Sequence, residues 1–240
     1  MGAQLSETKA HINLLWESQF EGHVAAADRI AAAEVPVVLD IWPQLYQPTT
    51  PRTVWPDADA RVRELFLYLR DRGVLGRIVA LYPIDEPNST VVSHAQMAAG
   101  AEVARRVAAE FAEVQGVPLV AIFAGKMPLI GIELYDWVGI DDYDRGYRVL
   151  GEQYLDLRSK MRPGQRTLLI PGGAWGFDRS PWPFLDHANT HPEVVGIIPF
   201  VWFDNWDNRG LPGIRSNGMA PVYCQAGAMV AGVTAQCAPP

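Results

Sequence analysis

Short, continuously apolar runs alternate along this chain with longer amphipathic stretches. The runs are His11–Trp16, Pro36–Ile41, Arg77–Ile84, Val117–Phe123, Trp137–Ile140, Thr167–Ile170 and Val194–Trp202. Runs of this length and character read as strands buried on both faces. Between them the spacing of apolar residues changes to that of a helix. Asp57–Arg72 carries Val62, Leu65, Phe66 and Leu69 on one stripe, and Val91–Val114 carries Met97, Val103, Val107 and Phe111. Tyr147–Met161 carries Leu150, Tyr154 and Leu157, and Gly22–Glu34 is Ala-rich with Asp and Arg on one side. Shorter helices are expected in Ser180–Thr190 and Gly218–Val233, whereas the stretch from Gly125 to Tyr135 is too short and broken for a full helix.

Strand–helix alternation with apolar strands predicts a parallel sheet in an α/β protein. The number of repeats favours a (β/α)8 TIM-type barrel over a doubly wound sheet. No Gly-x-Gly-x-x-Gly follows the first strand, which removes support for the dinucleotide-binding version of the latter. Seven runs are counted here, so the opening strand of the barrel is expected to be missing or degenerate. Neither an internal repeat nor a linker interrupts the pattern, and residues 1–240 are read as a single domain.

Composition adds a few limits. A chain of 240 residues is long enough for one large core, and a charged fraction of 20% is ordinary for a soluble globular protein. The formal net charge of -7 opposes a nucleic-acid or anionic-membrane partner, and no apolar stretch is long enough to span a bilayer. The opening Met1-Gly2-Ala3-Gln4 lacks a signal-peptide pattern. A secreted or periplasmic location is expected with the leader absent from this chain, a cytoplasmic one being the alternative. Cys224 and Cys237 are compatible with either one disulfide or two thiols.

In α/β barrels the chemistry collects at the carboxyl ends of the strands. Those ends here read Trp16-Glu17, Asp40-Ile41-Trp42, Asp85-Glu86-Pro87-Asn88, Asp141-Asp142-Tyr143, Gly172-Gly173-Ala174-Trp175 and Trp202-Phe203-Asp204. Carboxylates and tryptophans accumulate there, while the strand starts hold far fewer. The adjacent pair Asp85-Glu86 closes an apolar strand. Mutual repulsion and partial desolvation favour a proton on one of the two, which is what a general acid requires. The plainer reading of Asp-Glu-Pro is a strand leaving into a polar turn. For each of Trp16, Trp42, Trp175 and Trp202, burial at the sheet end competes with stacking on a sugar. Trp55, Trp137 and Trp182 are read as structural.

Three segments resemble the (β/α)8-barrel glycoside hydrolase superfamily. Tyr82-Pro83-Ile84-Asp85-Glu86-Pro87-Asn88 is similar to the fourth-strand signature, in which an Asn-Glu-Pro carries the acid/base Glu. Asp136-Trp137-Val138-Gly139-Ile140-Asp141-Asp142-Tyr143 resembles the sixth strand. Gly196-Ile197-Ile198-Pro199-Phe200-Val201-Trp202-Phe203-Asp204 resembles the eighth, which carries a Trp under the sugar. The resemblance covers Pro36 to Asp204. It implies a glycosidase acting on O-glycosidic bonds of a poly- or oligosaccharide, with no cofactor and no metal, and with Glu86 as general acid beside Asp85.

Two departures alter that expectation. Asp85 stands where the superfamily has Asn, and Thr167–Trp175 has no carboxylate where the retaining enzymes carry their nucleophile. The second carboxylate is therefore expected from Asp141 or Asp142, with Asp204 and Asp40 as further candidates. Substrate contacts are expected from Trp16, Glu17, Asp40, Trp42, Tyr143, Trp175, Trp202 and Asp204. Alternatively, the Asp-Glu pair resembles substrate-assisted N-acetylhexosaminidases. There the Asp orients the substrate's own acetamido group, and Tyr143 would donate to that group's oxygen. A third reading is an inactive barrel that only binds carbohydrate. His187 and His191 have the spacing of a helical zinc pair, but Pro192 marks a helix end and argues against it.

Overall fold

The computed structural model describes residues 13–18, 22–89, 92–125, 127–141, 149–172, 180–200, 210, 212–214 and 216–231. Its contacts divide the chain into two compact units. The larger comprises Leu14–Val138 with Arg162–Gln165, and the other comprises Gly139–Met161 and Arg166–Pro240 with the first residues of the chain.

The larger unit is a parallel sheet of β1 (Leu15–Glu17), β2 (Val37–Asp40), β3 (Ile78–Asp85) and β4 (Leu119–Ala124), in that order. β2 is buried at every position and β3 at nearly every one, as their continuous apolar character requires. The connecting helices are α1 (His23–Ala33), the single turn α2 (Trp42–Leu45), α3 (Ala58–Asp71) and α4 (His94–Ala108).

α3 buries Val62, Leu65, Phe66 and Leu69, the stripe expected from spacing. It stops at a Schellman motif, in which Gly73, at φ 70°, donates to the Arg70 carbonyl and Val74 to that of Leu69. α4 begins later than its apolar pattern, because the Ser93 hydroxyl caps the Gln96 N–H at 3.2 Å. It ends at Ala108, and Phe111 reaches the core from the following turn, edge-on to Phe66 at 5.5 Å. The short link before β5 holds one 3-10 turn, Ile132–Leu134.

β5 (Trp137–Asp141) carries the chain from one unit into the other. The second unit holds a π turn at Val149–Gln153, α5 (Tyr154–Lys160), β6 (Arg166–Ile170), α6 (Trp182–Thr190), β7 (Val194–Ile197) and α7 (Ala220–Ala231). β6 and β7 are parallel. Tyr154, Leu169 and Phe184 form a core against which Ala188, Val194 and Ile197 pack. Cys224 is disulfide-bonded, and Cys237 lies outside the described residues.

Two strands differ from expectation. β1 starts at Leu15, whose N–H makes the first ladder bond to Pro36, and it takes in Glu17. β7 stops at Ile197, because Pro199 has no N–H to donate. Pairing resumes only as a bridge between Gly172 and Phe200. The chain is thus α/β, with parallel strands alternating with helices. Seven strands occur among the described residues, without the eighth that would complete a TIM barrel.

Candidate active site

The carboxyl ends of β1, β2 and β3 bring Trp16, Glu17, Asp40, Trp42, Tyr82, Asp85 and Glu86 into one neighbourhood of the larger unit. Register explains the arrangement. Trp16 pairs with Val38, and Asp40 with Tyr82, so Trp16, Asp40 and Tyr82 share one face of the sheet. On that face the half-buried Trp16 ring meets Tyr82 edge-on at 4.4 Å.

Glu17 belongs to the opposite, helix-covered face. Arg29 of α1 grips its carboxylate, with Nη2 at 2.6 Å from Oε1 and Nε at 3.0 Å from Oε2. Glu17 is 3% exposed. Expected from its position to touch substrate, it instead has both oxygens taken up by the guanidinium.

Asp40 is equally buried but differently held. Its Oδ1 accepts from the backbone N–H of Trp42 at 3.0 Å, the turn that starts α2. Burial holds its carboxyl well above the ordinary carboxylate range, and the charges of Asp85 and Glu17 add to the effect. The Trp42 N–H opposes it.

Asp85 ends β3. Its Oδ1 accepts the Tyr82 hydroxyl at 2.6 Å. It retains accessible surface, yet enough protein surrounds the group for desolvation to raise its pKa. The Glu86 charge also raises it, while the Tyr82 hydroxyl and the Arg52 charge lower it.

Glu86 follows with φ 38°, a left-handed conformation rarely adopted by residues other than glycine. Its carbonyl accepts from the Ser89 N–H at 2.9 Å and its Oε2 from the Ser89 hydroxyl at 2.7 Å. Asn88 ties this turn to the neighbouring strand. Its amide donates to the Ala124 carbonyl and its Oδ1 accepts from the Ala124 N–H, both at 2.8 Å.

Trp42 is half-buried, and the Arg52 guanidinium lies over its ring at 4.4 Å. Arg52 sits on a tight hairpin after α2, in which Tyr46 pairs with Val54 and the Gln47 N–H bonds to Thr53 at 2.9 Å. The hairpin is fastened to α4 through Gln96, which accepts the Val54 N–H at 2.7 Å and the Tyr46 hydroxyl at 3.2 Å. Gly100 leaves the space for Tyr46, since a Cβ there would lie 2.0 Å from its hydroxyl. Sequence reasoning did not single out Arg52, which no motif marks, and it took in Tyr82 only as the first residue of the strand signature, with no role for its hydroxyl.

Asp141 is buried at the end of β5 in the other unit. Asp142, Tyr143, Trp175, Trp202 and Asp204 lie outside the described residues. His187 and His191 stack with ring centroids 3.8 Å apart at the end of α6. No helix among the described residues is long and apolar enough to cross a membrane.

Neither a family model nor a curated protein matches the chain. Solved structures do match in fold. A GH2 beta-galacturonidase from Eisenbergiella tayi superposes with a TM-score of 0.58 at 10% identity over 94% of this chain and 48% of that one. Bacteroides uniformis beta-glucuronidase 2 gives 0.55 at 14% identity over 85% of this chain and 28% of that one. A Parabacteroides merdae beta-glucuronidase gives 0.54 at 12% identity over 83% and 29%. The chain therefore spans less than half the length of these proteins and shares their fold.

Proposed function

We propose that the protein is a glycoside hydrolase whose acid chemistry resides at the ends of β2 and β3. One observation carries this reading: Asp40, Asp85 and Glu86 are electrostatic neighbours at the carboxyl ends of adjacent parallel strands, beside the rings of Trp16, Trp42 and Tyr82. Clustered carboxyls next to aromatic rings, with the proton affinity of Asp40 and Asp85 raised, suit protonation of a leaving sugar oxygen. The fold shared with glycosidases raises the prior for this chemistry and does not fix it.

In this reading Glu86 delivers the proton. Its left-handed backbone costs on the order of 1–3 kcal/mol, and strain of that kind concentrates at functional positions. Asp85 is the adjacent carboxyl, its proton affinity raised by desolvation, and it orients the corner through its bond to the Tyr82 hydroxyl. Asp40 lies buried at the strand end with its proton affinity raised by desolvation. Glu17 contributes charge only, because Arg29 occupies it. The direct adjacency of Asp85 to Glu86 also favours the substrate-assisted variant, in which Asp85 holds the acetamido group of an N-acetylhexosaminide.

The test is a screen of aryl glycosides, including uronides and N-acetylhexosaminides, with the wild type and Glu86→Gln. Turnover should fall about 10²- to 10⁴-fold in the variant with its thermal midpoint preserved. Equal turnover in both proteins removes Glu86 as the donor. Glycan binding without product from any substrate replaces the enzyme with a carbohydrate-binding protein.

A further inference from the structure

Among the described residues, Arg52 is a cation at this site that forms no ion pair. A guanidinium stays charged under all relevant conditions and offers five N–H donors in a planar fork. Among the described residues, none of those donors meets an acceptor, and no carboxylate lies within ion-pair distance of Arg52. Its Nη1 is shielded from solvent, while the side chain as a whole is half-exposed, so the rest of the fork is reachable from outside.

The neighbouring acids are otherwise engaged. Glu17 belongs to Arg29, Asp40 is held by the Trp42 N–H, and Asp85 accepts from Tyr82. Arg52 feels Asp85 at a distance without bonding to it. Nor does the guanidinium float freely. It is stacked on Trp42, and its hairpin is bonded to α4 at Gln96. A rigid, stacked fork without a hydrogen-bond partner among the described residues is preorganised for an external oxyanion, because leaving buried donors unmade is costly and little ordering remains to be done on binding.

We infer that Arg52 is a specificity residue that binds an anionic substituent of the ligand, a carboxylate or sulfate carried on a sugar, against the platform of Trp42. The anion requirement follows from Arg52 itself. That the anion is borne by a sugar rests on the glycoside reading above.

Calorimetric titration with potassium galacturonate, potassium glucuronate, glucose 6-sulfate, galactose and glucose tests the assignment. The proteins compared are the wild type, Arg52→Met, Arg52→Gln and Arg52→Lys. Two neutral replacements are included so that one folded variant suffices, with folding checked by circular dichroism. The wild type should bind at least one acidic sugar about 10- to 100-fold more tightly than its neutral counterpart. The neutral variants should lose that preference while their affinity for galactose and glucose changes less than about threefold, and Arg52→Lys should retain part of it. Uronates and the sulfate separate the two anion sources.

Equal affinity for acidic and neutral sugars in the wild type, no binding of any acidic sugar, or a preference that survives in the neutral variants overturns the assignment. Aryl-uronide turnover separates the two claims. An Arg52-dependent acid preference without hydrolysis sinks the enzyme and leaves the anion site. Hydrolysis with no such preference does the reverse.

Discussion

Glu17 and Asp40 end neighbouring strands and are equally buried, yet they occupy opposite faces of one sheet and meet opposite electrostatic fates. On the helix-covered face Glu17 receives a guanidinium through three contacts from 2.6 to 3.2 Å. On the other face Asp40 accepts a backbone N–H from Trp42 and feels the charges of Asp85 and of Glu17 itself. Burial alone therefore does not decide how an acid is held. What distinguishes the two is the partner: Arg29 pairs with Glu17, while burial raises the proton affinity of Asp40.

Substitutions can break this contrast, beginning with the strongest. Arg29→Met strands the Glu17 charge in the interior and should destabilise the protein by about 3–5 kcal/mol in denaturant unfolding. A loss below about 1 kcal/mol would show that the clamp is not structural. Asp40→Asn should act in the opposite direction, raising stability at neutral pH by roughly 1 kcal/mol. Below the ordinary value of 3.8 Asp40 is protonated in both folded and unfolded chains and contributes nothing to the pH dependence. As pH rises through 3.8 the unfolded chain ionises first, so the native state holds the extra proton and stability falls until the raised folded pKa is passed. Asp40→Asn should flatten that decline in melting curves collected between pH 4 and 8, and an unchanged slope would assign the decline elsewhere.

Tyr82→Phe removes the hydroxyl that lowers the Asp85 pKa. The ionisation of Asp85 followed by NMR should move to higher pH, with a stability cost of about 1 kcal/mol. Glu86→Asn should have the smallest effect on folding. Asn tolerates the left-handed backbone better than Glu, so stability should rise by up to about 1 kcal/mol while any glycosidase activity disappears. Reduced stability with activity retained would make the turn merely structural.

Much of the scaffold was legible because buried parallel strands advertise themselves as apolar runs. All seven strands occur in the expected order, and α3 buries the same four residues its spacing singled out. Face assignment was not legible for Glu17. A three-residue strand has too little alternation to show which side a terminal acid takes, and the partner that decides it, Arg29, is half a helix away. The Arg52 hairpin was also hidden. No pattern was read in residues 46–54, and the bonds that fasten the hairpin come from Gln96, more than forty residues on. The acidic accumulation at strand ends was visible from the order of residues along the chain. How those acids are neutralised depends on long-range partners that no local pattern records.

The Asn88 amide forms two 2.8 Å bonds with the backbone of Ala124 and so imitates one more rung of ladder after Pro87 has ended β3. The acid-bearing corner is thereby indexed to the adjacent strand as well as its own. Transplanting Asp85-Glu86-Pro87 into another scaffold would carry the carboxyls but not their aim, and the smallest portable unit is the β3–α4–β4 segment from Ile78 to Ala124.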